Sequence, residues 1–176
     1  MLTLLKPRVQ PDAFHAVLIQ RSPRWYNACL RITRDPDLAA DAVQEALLKA
    51  WDRRAEFRGD AALDSWIHRI ALNAAIDLTR KRKRRAEDEL EDDAHESPPA
   101  STPENEFTGE AITRDLAAAM QRLSANERQT FLLKHIEGWK LEEIAESTQT
   151  NVNNVKSTLF RAIRKLRVVM HAWSES

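Results

Sequence analysis

Residues 86–111 cannot help to build a hydrophobic core, and that divides the chain. The segment holds ten Asp/Glu and no Lys/Arg, and includes Glu87-Asp88-Glu89-Leu90-Glu91-Asp92-Asp93 and Ser97-Pro98-Pro99-Ala100-Ser101-Thr102-Pro103. With almost nothing apolar to bury and like charges that repel, it is expected to be an extended linker. In a chain of 176 residues, each flank is long enough for one small domain. The expected domains are residues 10–85 and 112–173.

Both flanks read as helical. The chain has three glycines and one tyrosine, Ala, Leu, Arg and Glu are abundant, and few runs alternate apolar with polar residues. The fold class expected is therefore all-α: two small helical domains joined by a flexible acidic linker. No apolar stretch is long enough to span a membrane. Pro7 interrupts the N-terminal Met1-Leu2-Thr3-Leu4-Leu5 too early for a signal peptide. Cys29, the single cysteine, has no intramolecular partner and sits at helical spacing among apolar residues, as a buried thiol would. The expectation is a cytoplasmic protein.

A net charge of zero conceals strong segregation: residues 1–85 carry +7, residues 86–111 carry −10 and residues 112–176 carry +3. Two basic blocks flank an acidic one, so partners must be judged block by block.

The N-terminal block reads as four helices. The first runs from Ala13 to about Gln20, with Phe14, Val17 and Leu18 apolar, and the second from near Arg24 to Thr33. Asp35 can cap a third helix that starts at Pro36 and runs to about Arg53, with Ala39, Val43, Ala46, Leu47 and Ala50 inward. The fourth follows Gly59-Asp60 and runs to about Arg85, with Leu63, Trp66, Ile67, Ile70, Ala71, Ala74 and Leu78 inward. In the C-terminal block a helix is expected from about Ala111 to Leu123. Ser124 and Glu127 form a capping box for the next, whose buried face is Phe131, Leu132 and Ile136, and Gly138 ends it. A short helix over Leu141–Ser147 and a longer one from Val152 to about Met170 have the spacing of a helix-turn-helix, with Ile144, Ala145, Val152, Val155, Leu159 and Leu166 as its seam.

Three faces carry candidate chemistry. On the fourth helix Arg69, Asn73, Asp77, Arg80 and Arg84 line up at spacings of three and four. Their cations suit phosphates, and Asn73 suits a base edge. The stripe is equally a solvated face, but six consecutive Lys/Arg from Arg80 to Arg85 repel one another without an anionic partner. Trp66 reads either as core or as a stacking platform for an unpaired base. On the last helix Asn153, Asn154, Lys156, Ser157, Arg161 and Lys165 point outward, where a recognition helix would meet base edges and phosphates. On the third helix Asp37, Asp41, Gln44, Glu45 and Leu48 share an exposed, acidic face that suits a basic protein surface.

The chain resembles bacterial sigma factors of the extracytoplasmic-function type, in the sigma-70 family, over about residues 12–85 and 112–170. The resemblance rests on Asp41-Ala42-Val43-Gln44-Glu45-Ala46 with Lys49-Ala50-Trp51, Phe57-Arg58-Gly59, Ser65-Trp66-Ile67-His68-Arg69-Ile70-Ala71-Leu72-Asn73, Glu143-Ile144-Ala145, and Val155-Lys156-Ser157 with Arg161-Ala162. It implies that residues 10–85 form sigma domain 2, a four-helix bundle, and residues 112–173 form sigma domain 4. It implies roles as well. Asp37, Asp41, Gln44, Glu45 and Leu48 would grip the clamp helices of core RNA polymerase. Arg58, Asp60, Leu63, Trp66, Arg69, Asn73, Asp77, Arg80 and Arg84 would open and read the minus-ten element, with the loop Arg58 to Asp64 capturing a flipped base. Asn153, Asn154, Lys156, Ser157, Thr158, Arg161 and Lys165 would read the minus-35 duplex, with domain 4 also meeting the polymerase flap. The linker would thread the RNA exit path. The implied partners are core polymerase, promoter DNA and an anti-sigma factor; the free chain would be a monomer. No catalytic residue, metal or cofactor is needed, because the polymerase does the chemistry.

The sequence departs from the family's habits at Ala40, where an acidic residue is usual, and at Leu123-Ser124, where Leu-Pro is frequent. It departs also at Gln149, where glycine is frequent, at Asn153-Asn154 in place of Gly-Thr, and at Thr158 in place of a basic residue. The minus-35 preference is expected to differ accordingly. A sigma-like decoy that titrates an anti-sigma protein would not need the intact Trp66–Asn73 segment or the basic run. A dimeric helix-turn-helix repressor leaves the N-terminal block unexplained. An enzyme fits least: the five histidines have no metal spacing and there is no phosphate-binding glycine loop.

Overall fold

The computed structural model describes residues 11–58, 61–89 and 117–174, and all regular structure among them is helical. The chain divides into two compact units, residues 1–102 and 103–176. Among the described residues no helix is long and apolar enough to cross a membrane.

The first unit has three helices, α1 (Pro11–Thr33), α2 (Pro36–Asp52) and α3 (Leu63–Glu89), each packed against the other two. Small side chains make this possible. Ala39, Ala42, Ala46 and Ala50 of α2 and Ala71, Ala74 and Ala75 of α3 are buried, with at most 1% exposure. Alanine at a contact brings helix axes toward the short end of the usual range of about 8–10 Å. Trp25, Ile67 and Leu72 supply the bulk between them and are fully buried.

The two helices expected over 13–20 and 24–33 are one. Proline at position 23 lies inside α1, where a missing N–H and a ring clash cost about 3 kcal/mol. Burial of Trp25 opposes that cost with roughly 4–6 kcal/mol for the 150–250 Å² an aromatic side chain hides. Continuity also lets Phe14, at the far end of α1, pack edge-on against Trp51 of α2 with ring centroids 5.4 Å apart. The unit is thus a three-helix bundle among the described residues rather than a four-helix one.

Helix α2 starts as expected. Asp35 caps it, its Oδ1 accepting the backbone N–H groups of Asp37 (2.9 Å) and Leu38 (3.0 Å). On α3 the inner stripe is rotated from the expected one. Ile67, His68, Ala71, Leu72, Ala75 and Ile76 are buried, while Leu63, Trp66, Ile70 and Leu78 sit half-buried at its margin. Both sets satisfy helical periodicity; contact with two neighbours rather than one widens the buried arc and moves its centre.

In the second unit, residues 117–121 are helical and are followed by α4 (Ala125–Phe131), which continues into a π-helical turn over Leu132–Ile136. The capping box is present: Glu127 N–H donates to Ser124 Oγ (3.3 Å) and Ser124 N–H to Glu127 Oε2 (2.9 Å). The π turn corrects one expectation. Its wide bond, from Glu137 N–H to Leu132 C=O at 3.0 Å, accommodates an extra residue and rotates the face behind it. Leu133 is therefore buried completely, and Ile136, expected inside, is 58% exposed. Gly138 ends this helix at φ +71°, the left-handed conformation glycine adopts freely.

Helices α5 (Leu141–Ser147) and α6 (Val152–Ser174) follow. The two helices pack together, with Ile144 and Ala145 of α5 and Val155 of α6 buried, and Ala119, Leu123, Ala162 and Leu166 form a cluster with Met120 and Phe131 against it. The turn between α5 and α6 places Gln149 at φ +55°, and Thr150 N–H closes onto Ala145 C=O at 2.9 Å.

Because the first unit depends on close approach, Ala42→Leu should lower its stability by about 1–3 kcal/mol through overpacking. Urea unfolding, with hydrogen exchange to locate the loss, should find it in α1–α3 with α4–α6 unchanged.

Candidate nucleic-acid interface

The exposed face of α2 is set by the buried one. With Ala39, Ala42, Val43, Ala46 and Ala50 inside, helical geometry turns Asp37, Asp41, Gln44 and Leu48 to solvent. Leu48 is 63% exposed, an apolar side chain within a charged face. Glu45 is half-buried and pairs with Lys49 at 2.5 Å, so three of the five expected residues offer exposed polar groups and one an apolar surface. The sequence reasoning did not single out an apolar neighbour on the same side of α2: Trp51 is 39% exposed, under the Arg54 guanidinium at 4.2 Å. The periodicity of α2 carried the signal for Trp51, one turn beyond Leu47 and Leu48.

On α3, Arg69 and Arg84 are exposed and Asn73, Asp77 and Arg80 half-buried. Asn73 Nδ2 donates to the Arg69 carbonyl at 3.0 Å, which draws the amide along the helix surface. Asp77 is ion-paired to Arg80, so this acid offsets one cation of the stripe. Arg82 pairs with Asp35, and Lys83 lies 3.7 Å from Glu87. The carboxyl of Asp35 is held below its ordinary value, chiefly by the Leu38 N–H, with burial opposing and Arg82 assisting. Lys81, Arg82, Lys83, Arg84 and Arg85 are all exposed.

At the start of α3, Trp66 is half-buried and its ring lies against Phe57, centroids 5.4 Å apart and tilted. Neither extreme expectation describes it: it is packed on one side and open on the other. Arg58 is exposed and Leu63 half-buried; Asp60 lies outside the described residues. Asp64 was not singled out, yet it ties α3 to α1. It accepts the Trp25 indole N–H at 2.9 Å and the Arg24 guanidinium at 2.5 Å, with Arg21 at 3.9 Å. These partners are about forty residues away in sequence, beyond the reach of any local pattern.

On α6, Asn153, Asn154, Lys156 and Ser157 are exposed. Asn154 Nδ2 donates to Thr150 Oγ1 at 2.7 Å and its backbone N–H to Asn151 Oδ1 at 2.8 Å, so Asn154 braces the helix start beside Asn153. Thr158 is not on this surface. It is 7% exposed, and its Oγ1 accepts from Arg161 Nη2 at 3.1 Å; Val155, Thr158, Ala162 and Leu166 are one inward stripe at spacings of three, four and four. Sequence reasoning also missed Phe160, which is 67% exposed. It follows Asn153, Lys156 and Ser157 at helical spacing and puts an aromatic ring in the middle of the polar stripe.

Arg161 and Lys165 are exposed but not idle. Both face Glu127, which is 4% exposed: Lys165 Nζ to Oε2 is 2.7 Å and Arg161 Nε to Oε1 is 3.8 Å. Burial pushes the Glu127 carboxyl up, but the hydrogen bond from Lys165, the Ser124 N–H and the Lys165 charge outweigh it, and the net displacement is below the ordinary 4.5. A carboxyl depressed on folding stabilises fully above its unfolded value and less as pH falls through the folded one. The second unit should therefore lose stability below about pH 4.5, and Glu127→Gln should flatten that dependence at the cost of stability at pH 7. Thermal melting between pH 3 and pH 7 reads both.

Comparison with known proteins shows the family. Residues 18–85 match the family described as Sigma-70 region 2, and residues 113–166 match Sigma-70, region 4. The ECF RNA polymerase sigma-E factor of Escherichia coli (strain K12) is 34% identical over 170 residues, covering 90% of this chain and 88% of that protein. The RNA polymerase sigma-H factor of Pseudomonas aeruginosa is 31% identical over 158 residues, covering 85% and 82%. Among solved structures, the sigma factor RpoE in complex with the anti-sigma factor NepR from Bartonella quintana has the same fold, with a TM-score of 0.59 at 23% identity, covering 91% of this chain and 98% of that one. A two-unit helical protein with an acidic helix face, a basic helix and a helix-turn-helix is thus a transcription initiation factor rather than an enzyme. The chain belongs to the extracytoplasmic-function sigma factors of the sigma-70 family.

Proposed function

We propose that this chain works in the cytoplasm as an alternative sigma factor: it binds core RNA polymerase through α2, opens and reads a minus-ten element through α3, and reads a minus-35 element through α6. The observation that carries the reading is the pairing, within one rigid three-helix unit, of an acidic exposed face on α2 with a basic and aromatic face on α3. A protein that must hold a basic protein surface and an opening DNA strand at once needs those two charges on different helices. Trp66, packed on Phe57 with one side open, is supported at the back as a stacking platform should be. On α6, Asn153, Lys156, Ser157 and Phe160 form the outward surface for the major groove. Asn153 offers an amide for an adenine edge, Lys156 a charge for phosphate or guanine, and Phe160 an apolar face for a thymine methyl. The domain limits that go with this reading are residues 10–85 and 112–173, with residues 86–111 as the linker. An anti-sigma protein competing for the same surfaces as polymerase is a natural partner, since a similarly folded sigma factor is bound by the anti-sigma factor NepR.

The test is run-off transcription with purified core polymerase on genomic promoter fragments; absence of any stimulated product would sink the reading. Asp41→Arg should abolish core binding in a pull-down, and full affinity in that variant would remove α2 from the polymerase contact. On a promoter so identified, Lys156→Ala should weaken binding across sequences and lower the salt slope by about one. Phe160→Ala should instead relax preference at one base pair, where a mismatch costs about 1–3 kcal/mol. Both should leave core binding intact.

A further inference from the structure

Arg34, in the corner between α1 and α2, occupies a position that its backbone disfavours. Its φ is +53°, a left-handed conformation that a side chain with a Cβ adopts at a cost and that glycine adopts freely. The corner is held by groups other than the arginine side chain. Arg34 N–H closes α1 onto Leu30 C=O at 2.8 Å. Thr33 Oγ1 donates to Asp35 C=O at 3.0 Å and accepts Asp35 N–H at 3.2 Å. Asp35 Oδ1 caps α2, and its Oδ2 pairs with Arg82. The left-handed turn is thus imposed by its neighbours, the condition under which a disfavoured conformation persists at a functional position. The Arg34 guanidinium itself takes no part: it has no hydrogen-bond or ion-pair partner among the described residues. A glycine would serve the turn better, so the arginine serves something outside it.

What that is follows from the surroundings. The Asp35–Arg82 pair brings the corner against the basic run of α3, and Arg34 is the next residue to Asp35. Asp35 is already committed to the cap and to Arg82, so it does not neutralise Arg34. Lys81, Lys83, Arg84 and Arg85 stand exposed on the same stretch of α3. One more guanidinium, half-buried and one residue from the Asp35 that pairs with Arg82, repels a basic protein surface of the kind that suits the acidic face of α2, and attracts a polyanion. We propose that Arg34 is a DNA-backbone contact: its guanidinium takes a promoter phosphate at the Arg80–Arg85 end of the α3 stripe, extending that stripe across onto the α1–α2 corner. The contact adds affinity without reading sequence, as phosphate contacts do.

This rests on the initiation-factor reading, and the experiment separates the two. Holoenzyme assembled from core polymerase and the full chain is titrated with a forked promoter fragment taken from a start site found by run-off transcription, over a range of salt concentrations. Arg34→Gly should raise the thermal midpoint of the free protein by about 2–5 °C and leave core affinity unchanged. It should weaken holoenzyme binding to the fork several-fold and lower the salt slope by about one. Arg34→Lys, which keeps the charge and the strained turn, should retain most of the DNA affinity without the gain in midpoint. An unchanged salt slope and fork affinity in Arg34→Gly overturns the proposal, as does a loss of core affinity, which would assign the residue to polymerase. A fall in midpoint overturns it too, because Arg34 would then be holding the corner. If the wild-type holoenzyme itself forms no complex with the fork, the initiation reading fails first and the corner falls with it.

Discussion

The close approach of α1, α2 and α3 is the constraint on which the first unit depends. Seven alanines on α2 and α3 sit at contacts with almost no exposure. With so little side-chain volume between them, the helices gain much of their cohesion from dispersion contacts and from the few large residues, Trp25, Ile67 and Leu72, that fill what the alanines leave. A small bundle packed in this way has little freedom to slide. The acidic outer face of α2 and the basic outer face of α3 are therefore held at a fixed angle to each other. Asp64 adds a polar fastening to that arrangement by satisfying the indole N–H of the buried Trp25, which would otherwise be a costly orphan donor.

Much of this was legible in the sequence because it is local. The Ser124–Glu127 capping box, the Asp35 cap, Gly138 as a terminator and the limits of the short helix over Leu141–Ser147 all follow from residues within four positions of one another. The exposed face of α2 was legible for the same reason, since one strongly periodic alanine stripe fixes its opposite. Helix-turn-helix spacing located α6 and most of its outward residues.

What was not legible depends on contacts distant in sequence or on departures from ideal helical register. Two helices were expected over 13–20 and 24–33, yet α1 passes unbroken through Pro23, with Phe14 and Trp25 buried on either side of it. Ile136 reads as inward until a π turn rotates it out. Thr158 looks polar and hence outward, but three apolar neighbours at spacings of three and four carry it inside. Asp64 looks like one more acid at a helix start, and only the fold brings Trp25, Arg24 and Arg21 to it. The charges of Arg161 and Lys165 were read correctly as outward but not as already engaged, because Glu127 lies on another helix.

The engagement of Glu127 has a consequence for how the two units share work. A carboxylate that holds Lys165 and stands close to Arg161 offsets part of the positive charge on α6. On the proposed reading of α6 as the duplex-binding helix, fewer counterions would be displaced when it meets DNA, and its binding would depend less on salt. On that reading tethering would contribute to promoter affinity: with the first unit docked, the second would search at the high local concentration that a shared chain provides. Two promoter elements would then be read as a pair, with the distance between them part of the code.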